Sequence, residues 1–356
     1  MFRQEKKYYA RAFLYALAMA AVLLAPFVLL DGGYFVYYGD YNAQQIPFYK
    51  TCIEAVQSGN LGWNWRTDLG ANFVGSYSFY TLGSPFFWFA ALFPVEISQY
   101  LMAPLLALKI ACSSFFAFVY IRRFVTNPQH ALIGGLLYAF SGYSMYNIFF
   151  NHFHEAIVFF PLLLIGLEES VVNKRRGALA VAVAINAFVN YFFFIGECVF
   201  LVLYFVIRLI GDSRFRIGVR DFFCLAFEAV CGVLIAGVLF VPSIFQVLDV
   251  PRSTSMLNGW DFLFYNKNQR YGLIFEAMFF PGEVPARTIM FEKADSKWSS
   301  VALFLPLFSM SGVIAMVKGA ATEASRRMKW LRILLPACLI IAMIPGLNSS
   351  LSLIHI

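Results

Sequence analysis

Charge is what this chain lacks most. Asp, Glu, Lys and Arg make up 13% of its 356 residues, against 60% hydrophobic ones. Soluble domains carry roughly 25% charged residues because water has to be met by polar surface. So low a share excludes an ordinary soluble domain and makes a bilayer the expected solvent. Cysteine is sparse too. Of the six, Cys112, Cys224, Cys231 and Cys338 fall in apolar runs and none forms a CxxC pair, so neither a disulfide framework nor a thiolate metal site is indicated. There is no P-loop, no GxGxxG after a strand and no HExxH, which leaves nucleotide hydrolysis and zinc proteolysis unsupported. No internal repeat or low-complexity linker divides the chain, and residues 1–356 read as a single polytopic membrane domain. The net charge of +7 belongs to short basic clusters between apolar segments rather than to a compact basic domain. Nucleic acid is therefore not an expected partner.

What is present is a series of long apolar runs. The first, residues 12–30, is long enough to cross a hydrocarbon core of ~30 Å. It goes on to Leu29-Leu30 and then Asp31-Gly32-Gly33, longer than the apolar region of a secretory signal, so it reads as an uncleaved first helix rather than a signal peptide. Further helices are expected near 98–121, 131–149, 156–172, 178–192, 194–210, 221–247, 299–317 and 332–345, about nine transmembrane helices in an all-α integral membrane bundle. The apolar stretch from Pro85 to Phe93 is too short to span, and its Phe93-Pro94 end fits an interfacial or re-entrant helix.

Basic residues fix the expected sidedness, because Lys and Arg of short loops are retained in the cytoplasm. With 85–93 not spanning, 18 of the 27 Lys and Arg fall in cytoplasmic segments, eight in outer loops, and Lys109 lies within a helix. Thirteen of the 20 carboxylates fall outside. The expectation is a multi-pass protein of the bacterial cytoplasmic membrane, with a cytoplasmic N-terminus and an acidic outer face. It has two long outer loops, about 31–97 and about 249–298. The first is aromatic, with Gly62-Trp63-Asn64-Trp65 and Tyr77-Ser78-Phe79-Tyr80, and suits a cap at headgroup level.

Three outer segments carry candidate chemistry. Asp40, in Gly39-Asp40-Tyr41-Asn42-Ala43-Gln44-Gln45-Ile46-Pro47, lies at interfacial depth, where a carboxylate serves as general base or cation ligand. The bland alternative is a loop Asp capping a helix near 44–56, aided by Gln44 and Gln45. In Asn151-His152-Phe153-His154-Glu155, five polar-rich residues fill a short turn between two membrane helices. His152 and His154 could bind a pyrophosphate or a divalent metal, with Glu155 fixing an imidazole tautomer. Equally, the segment could be a plain helix–helix turn with Glu155 at a helix start. The third segment holds Asn190, Tyr191, Phe192–Phe194 and Glu197. Its aromatics read as an interfacial belt, and Glu197 is either functional or merely favoured by a helix N-terminus. Lys109 and Glu228, each inside an apolar run, need partners and could pair with one another.

These residues carry a resemblance. Gly39-Asp40 with Gln44, Gln45 and Pro47, Phe140-Ser141-Gly142-Tyr143 followed by Asn151-His152, Phe160-Pro161-Leu162-Leu163-Leu164 with Gly166 and Glu168, and Pro281-Gly282, in that order on this hydropathy profile, resemble the bacterial YfhO family. That family is grouped with the GT-C glycosyltransferases. The resemblance implies a GT-C-like first extracytoplasmic loop with interfacial helices. It implies transfer of a sugar from a polyprenyl-phosphate carrier to a cell-envelope polymer such as teichoic acid. Asp40 would be the catalytic acidic residue, and Gln44, Gln45, Asn151, His152, His154, Glu155, Tyr191 and Glu197 would bind substrate. Such chemistry needs no ATP, and a divalent metal ion is left open as a cofactor. Family members continue past a segment like Pro345-Gly346-Leu347-Asn348-Ser349, so the chain corresponds to their N-terminal portion and the C-terminal part is expected to be missing. Two other functions compete: a transporter or flippase of a lipid-linked or small solute, and a non-catalytic envelope-assembly protein.

Overall fold

The computed structural model describes residues 2–65, 67, 70–248, 259–265, 269–280, 304–305, 309–318 and 328–347. Most of the second outer loop and the start of the 299–317 helix lie outside them.

The protein is a helical membrane protein. Helix α1 (Phe2–Leu30) packs on the later helices α5 and α6. The first loop follows, with a π-helical turn Tyr41–Gln45, α2 (Ile46–Ser58), a two-stranded ribbon of β1 (Trp63–Asn64) and β2 (Ala71–Asn72), α3 (Phe73–Tyr77), a second π-turn Ser78–Leu82 and α4 (Pro85–Ala90). The ribbon is antiparallel, with Trp63 opposite Asn72. Then come α5 (Met102–Ile121), α6 (Pro128–Ala139), α7 (Gly142–Tyr146), α8 (Phe153–Val171), α9 (Ala178–Val189), α10 (Tyr191–Gly211) and α11 (Val219–Leu248). The described remainder contains α12 (Trp260–Leu263), α13 (Gln269–Glu276), α14 (Ser309–Val317) and α15 (Leu331–Met343). Four segments among the described residues are long and apolar enough to cross a membrane: Lys6–Leu30, Val95–Ile121, Tyr191–Gly211 and Val219–Phe245. Faces of α11 carrying Phe223, Phe227, Leu234, Ile235 and Val238 are exposed, and burying such faces in lipid removes the cost of presenting them to water.

Local sequence marks the boundaries. Asn72, Ser84, Asn127, Ser141 and Asn190 accept backbone N–H groups at the starts of α3, α4, α6, α7 and α10, satisfying donors the helix leaves orphaned. Helix α4 has only six residues, about 9 Å of helix, far below the ~30 Å hydrocarbon core, in keeping with a non-spanning 85–93 segment. A single helix over 131–149 is not found. The chain breaks after Ala139, where Ser141 caps a new short helix and the Gly142 amide donates to the Phe304 carbonyl at 2.6 Å.

Contacts distinguish two ends of the bundle. At one, Arg123 pairs with Glu169, Lys174 and Arg176 with Asp221, and Arg208 with Glu168 and Asp212. At the other, Tyr34 meets Tyr100, Gln45 meets His152, and Ser78 meets Ser243. Basic turns thus collect at one end, and the first loop covers the opposite one. Near the basic end the Arg208 guanidinium is held by Glu168 through two 3.0 Å bonds and enclosed by Phe124, Phe215 and Trp330 rings 4.8–5.2 Å away. That satisfied, aromatic-walled pair joins α8, α10 and the start of α15.

Small residues let α9 lie tightly between α8 and α11. A Cβ on Gly166 would fall 2.5 Å from the Ala182 Cβ, and one on Gly232 2.6 Å from the Ala180 carbonyl, the close approach by which membrane helices gain van der Waals contact. Gly166→Ala is therefore expected to cost about 1–3 kcal/mol through overpacking. Gly312→Ala, with open space around it, should be neutral or slightly stabilising. Thermal unfolding of the solubilised variants checks this, and equal melting temperatures would contradict it.

Candidate functional site

Two turns meet at the first-loop end. The stretch from Tyr37 to Gln45 curls back on itself, with Asn42 Nδ2 donating to the Tyr37 carbonyl at 3.1 Å and Asn42 Oδ1 accepting from the Tyr37 amide at 3.0 Å. Gly39 is left-handed (φ 53°) and lies so close to Phe149 that a Cβ would be 2.9 Å from its ring. Glycine here both allows the turn and lets it seat on the segment before Asn151. Asp40 opens the π-turn, half-exposed, and its side chain makes no capping bond. The capping explanation of Asp40 is not what the geometry shows.

One π-turn on, Gln45 is buried and its Oε1 lies 2.9 Å from His152 Nδ1. Asp40 and the 151–155 turn are thereby joined through one hydrogen bond and one turn of helix. Gln44 is partly exposed on the same turn. Asn151, His152, His154 and Glu155 are all at least 95% buried. The His152 ring is packed among Phe79, Tyr80 and Phe153, with centroids 4.4–4.7 Å away. Burial, then the nearby Lys109 ammonium, push its imidazole well below the usual histidine range, so it is neutral at pH 7.

The charge at the centre is Lys109 of α5. Its fully buried ammonium contacts Glu155 Oε1 at 2.8 Å and donates to both the carbonyl and Oδ1 of Asn151 at 3.1 Å. Ser84 donates to the same Glu155 oxygen at 2.6 Å while capping α4. Tyr49 of α2 sets its hydroxyl beside Glu155, Asn151 and Ser84. Two expectations are corrected here. Lys109 pairs with Glu155, not Glu228, which instead accepts from Ser170 at 3.3 Å. Glu155 holds the ammonium rather than an imidazole, and the His154 tautomer is set by the Ser144 carbonyl, 2.6 Å from Nε2.

Lys109, Ser84 and Tyr49 were not singled out from sequence as members of this site. The available signal was that a lone Lys in an apolar run demands an anion, and Glu155 was the polar turn's own carboxylate.

The third segment is split. Asn190 caps α10 and its Nδ2 reaches the His152 carbonyl at 3.5 Å. Tyr191 packs against Phe79 and Phe240. Phe194 is buried, while Tyr191, Phe192 and Phe193 are half-buried and Phe193 sits on Phe153 at 4.6 Å, so these rings pack on the bundle with part of their surface left exposed. Glu197 lies beyond the first turn of α10, out of reach of a purely N-terminal dipole effect, and faces Tyr138 and Tyr143 instead. Among the described residues no group of three or more His, Cys, Asp or Glu is placed to hold a metal ion.

Searches of curated proteins and of solved structures return no match. The family model described as "Bacterial membrane protein YfhO" matches residues 11–279, a stretch that contains α1 from Arg11 onward, the whole first loop, the Lys109–Glu155 pair and α6 through α11. The chain belongs to the YfhO family of bacterial membrane proteins.

Proposed function

We propose that the chain is a GT-C type glycosyltransferase of the bacterial cytoplasmic membrane. It transfers a sugar from a polyprenyl-phosphate carrier to a cell-envelope polymer, such as teichoic acid, on the extracytoplasmic face. The observation that carries this reading is the Gln45–His152 hydrogen bond, which brings the turn bearing Asp40 against the buried polar 151–155 turn. A lipid phosphate is a good leaving group, so the reaction asks chiefly for a base toward the acceptor hydroxyl and for an ordered donor. Asp40, half-exposed and without a capping bond, serves as the base at the edge of the site. The buried turn behind it orders the substrate.

Orientation follows from the same end-to-end contrast. The basic end faces the cytoplasm by the positive-inside rule, so the N-terminus is cytoplasmic and the first loop is outside. In a background without native cysteines, Cys at exposed position 96 should react with an impermeant thiol reagent in intact cells. Cys at position 175, on the basic turn where Arg175 is 74% exposed, should react only after permeabilisation. The reverse pattern would overturn the sidedness. The functional reading itself is tested by incubating membranes carrying the chain with a labelled undecaprenyl-phosphate hexose and following label into polymer.

A further inference from the structure

The polar atoms left without a hydrogen-bond partner at this end have a common chemistry. Among the described residues, the buried and unpartnered atoms here include His152 Nε2, His154 Nδ1, Glu155 Oε2, Gln45 Nε2, Ser144 Oγ, Tyr41 Oη and, beside Glu155, Tyr49 Oη. The partners of the two imidazoles fix what each free nitrogen offers. The Ser144 carbonyl can only accept, so His154 carries its proton on Nε2 and presents a lone pair at Nδ1. Gln45 Oε1 likewise accepts from His152 Nδ1–H, leaving a lone pair at His152 Nε2 and the Gln45 amide N–H groups free. Glu155 Oε2 is a further acceptor. The buried Lys109 ammonium has nothing left to give: its three N–H groups meet Glu155 Oε1, the Asn151 carbonyl and Asn151 Oδ1.

Three acceptors, one amide donor and three hydroxyls therefore wait inside the protein, with no free cationic donor among them. An ionised phosphate brings only acceptor oxygens and would meet acceptors. A hydroxyl group brings one donor and two lone pairs and can satisfy either kind. We propose that the buried cluster of Gln45, His152, His154 and Glu155 is a receptor for the hydroxyl groups of a sugar, and that the phosphate of the donor lipid sits outside it. This rests on the transferase reading above, and it replaces the expectation that His152 and His154 grip a pyrophosphate. The neutral state of His152 agrees with it, since an uncharged imidazole offers an acceptor rather than a cation. The Phe79, Tyr80 and Phe153 rings around that imidazole supply the apolar faces against which sugar C–H groups pack.

The test is binding by the full chain in lipid nanodiscs. The probes are a set of undecaprenyl-phosphate hexoses, the deoxy forms of the tightest-binding one, and bare undecaprenyl phosphate. The unaltered chain should bind a hexose-bearing lipid more tightly than the bare phosphate and lose about tenfold to a hundredfold when a recognised hydroxyl is removed, the effect of leaving buried polar groups unpaired. Replacing both partners of one hydrogen bond by apolar groups of similar shape is structurally mild. The Gln45→Met, His152→Phe double variant should therefore keep its affinity for bare undecaprenyl phosphate and bind the hexose lipid no more tightly than that. If the variant still prefers the hexose lipid, or loses affinity for both lipids by the same factor, the hydroxyl receptor is overturned while the transferase reading stands. If the unaltered chain binds neither lipid better than phosphatidylglycerol, the transferase reading fails and the receptor with it. Should the double variant not fold, the deoxy series on the unaltered chain decides, and indifference to every hydroxyl overturns the proposal.

Discussion

Lys109→Met should unfold or severely loosen the bundle, whereas Lys109→Met combined with Glu155→Gln should recover most of the loss. The ammonium and carboxylate are both buried, 2.8 Å apart, and each has a neutral partner, Asn151 accepting from Lys109 and Ser84 donating to Glu155. Removing one partner of a buried pair leaves the other charge uncompensated, at a cost of about 3–5 kcal/mol, while neutralising both together is often close to neutral. The pair also ties α5 to the start of α8, so its loss would release the 151–155 turn from its place beside Gln45. Size-exclusion profiles and thermal unfolding of the solubilised variants give the comparison. A single variant as stable as the unaltered chain would show that the pair is not what holds the turn, and a double variant no better than the single one would deny the coupling.

Asp40→Asn should abolish sugar transfer while leaving insertion and folding intact. The amide keeps the carboxylate's shape but loses its basicity and charge, and removing a general base slows a reaction by about 10² to 10⁴-fold. Asp40 makes no capping bond, so no helix end depends on it and its effect on stability should be small. The Gln45→Met, His152→Phe variant ought to behave differently, weakening donor binding more than the chemical step if the ordered sugar is held alike in ground and transition states. Measuring kcat and KM separately for the two variants distinguishes a base from a binding group. Near-normal turnover by Asp40→Asn would leave Asp40 an ordinary loop residue.

Much of this was legible in the sequence because membrane physics leaves strong marks. Apolar runs locate α1, α5, α10 and α11 within a few residues, and the basic turns at 122–123, 174–176 and 208–220 predict the end at which the ion pairs of Arg123, Lys174, Arg176 and Arg208 are found. The compression of polar residues into 151–155 also signalled a buried turn with partners elsewhere in the bundle, because buried polar groups are costly unless they are used or paired.

Pairing was not legible. Lys109 could have been neutralised by any carboxylate at its depth, and the choice of Glu155 over Glu228 depends on how α5 and α8 pack, which hydropathy does not encode. The interruption between α6 and α7 was missed for a related reason. Residues 131–149 are continuously apolar enough to read as one helix, and the Ser141-Gly142 start signal is short. Its effect relies on the distant Phe304 carbonyl. Likewise, the sequence does not show that Phe192 and Phe193 pack against Phe79 and Phe153, more than thirty residues away.

The most direct measurement presents a labelled undecaprenyl-phosphate hexose to proteoliposomes whose first-loop end faces outward, with envelope polymer in the same outer compartment and no nucleotide added. Transferase action predicts that label leaves the lipid and enters the polymer, in amounts that fall with Asp40→Asn. Label that stays on the lipid and accumulates in the inner leaflet would contradict it, because that is the behaviour of a flippase rather than a glycosyltransferase.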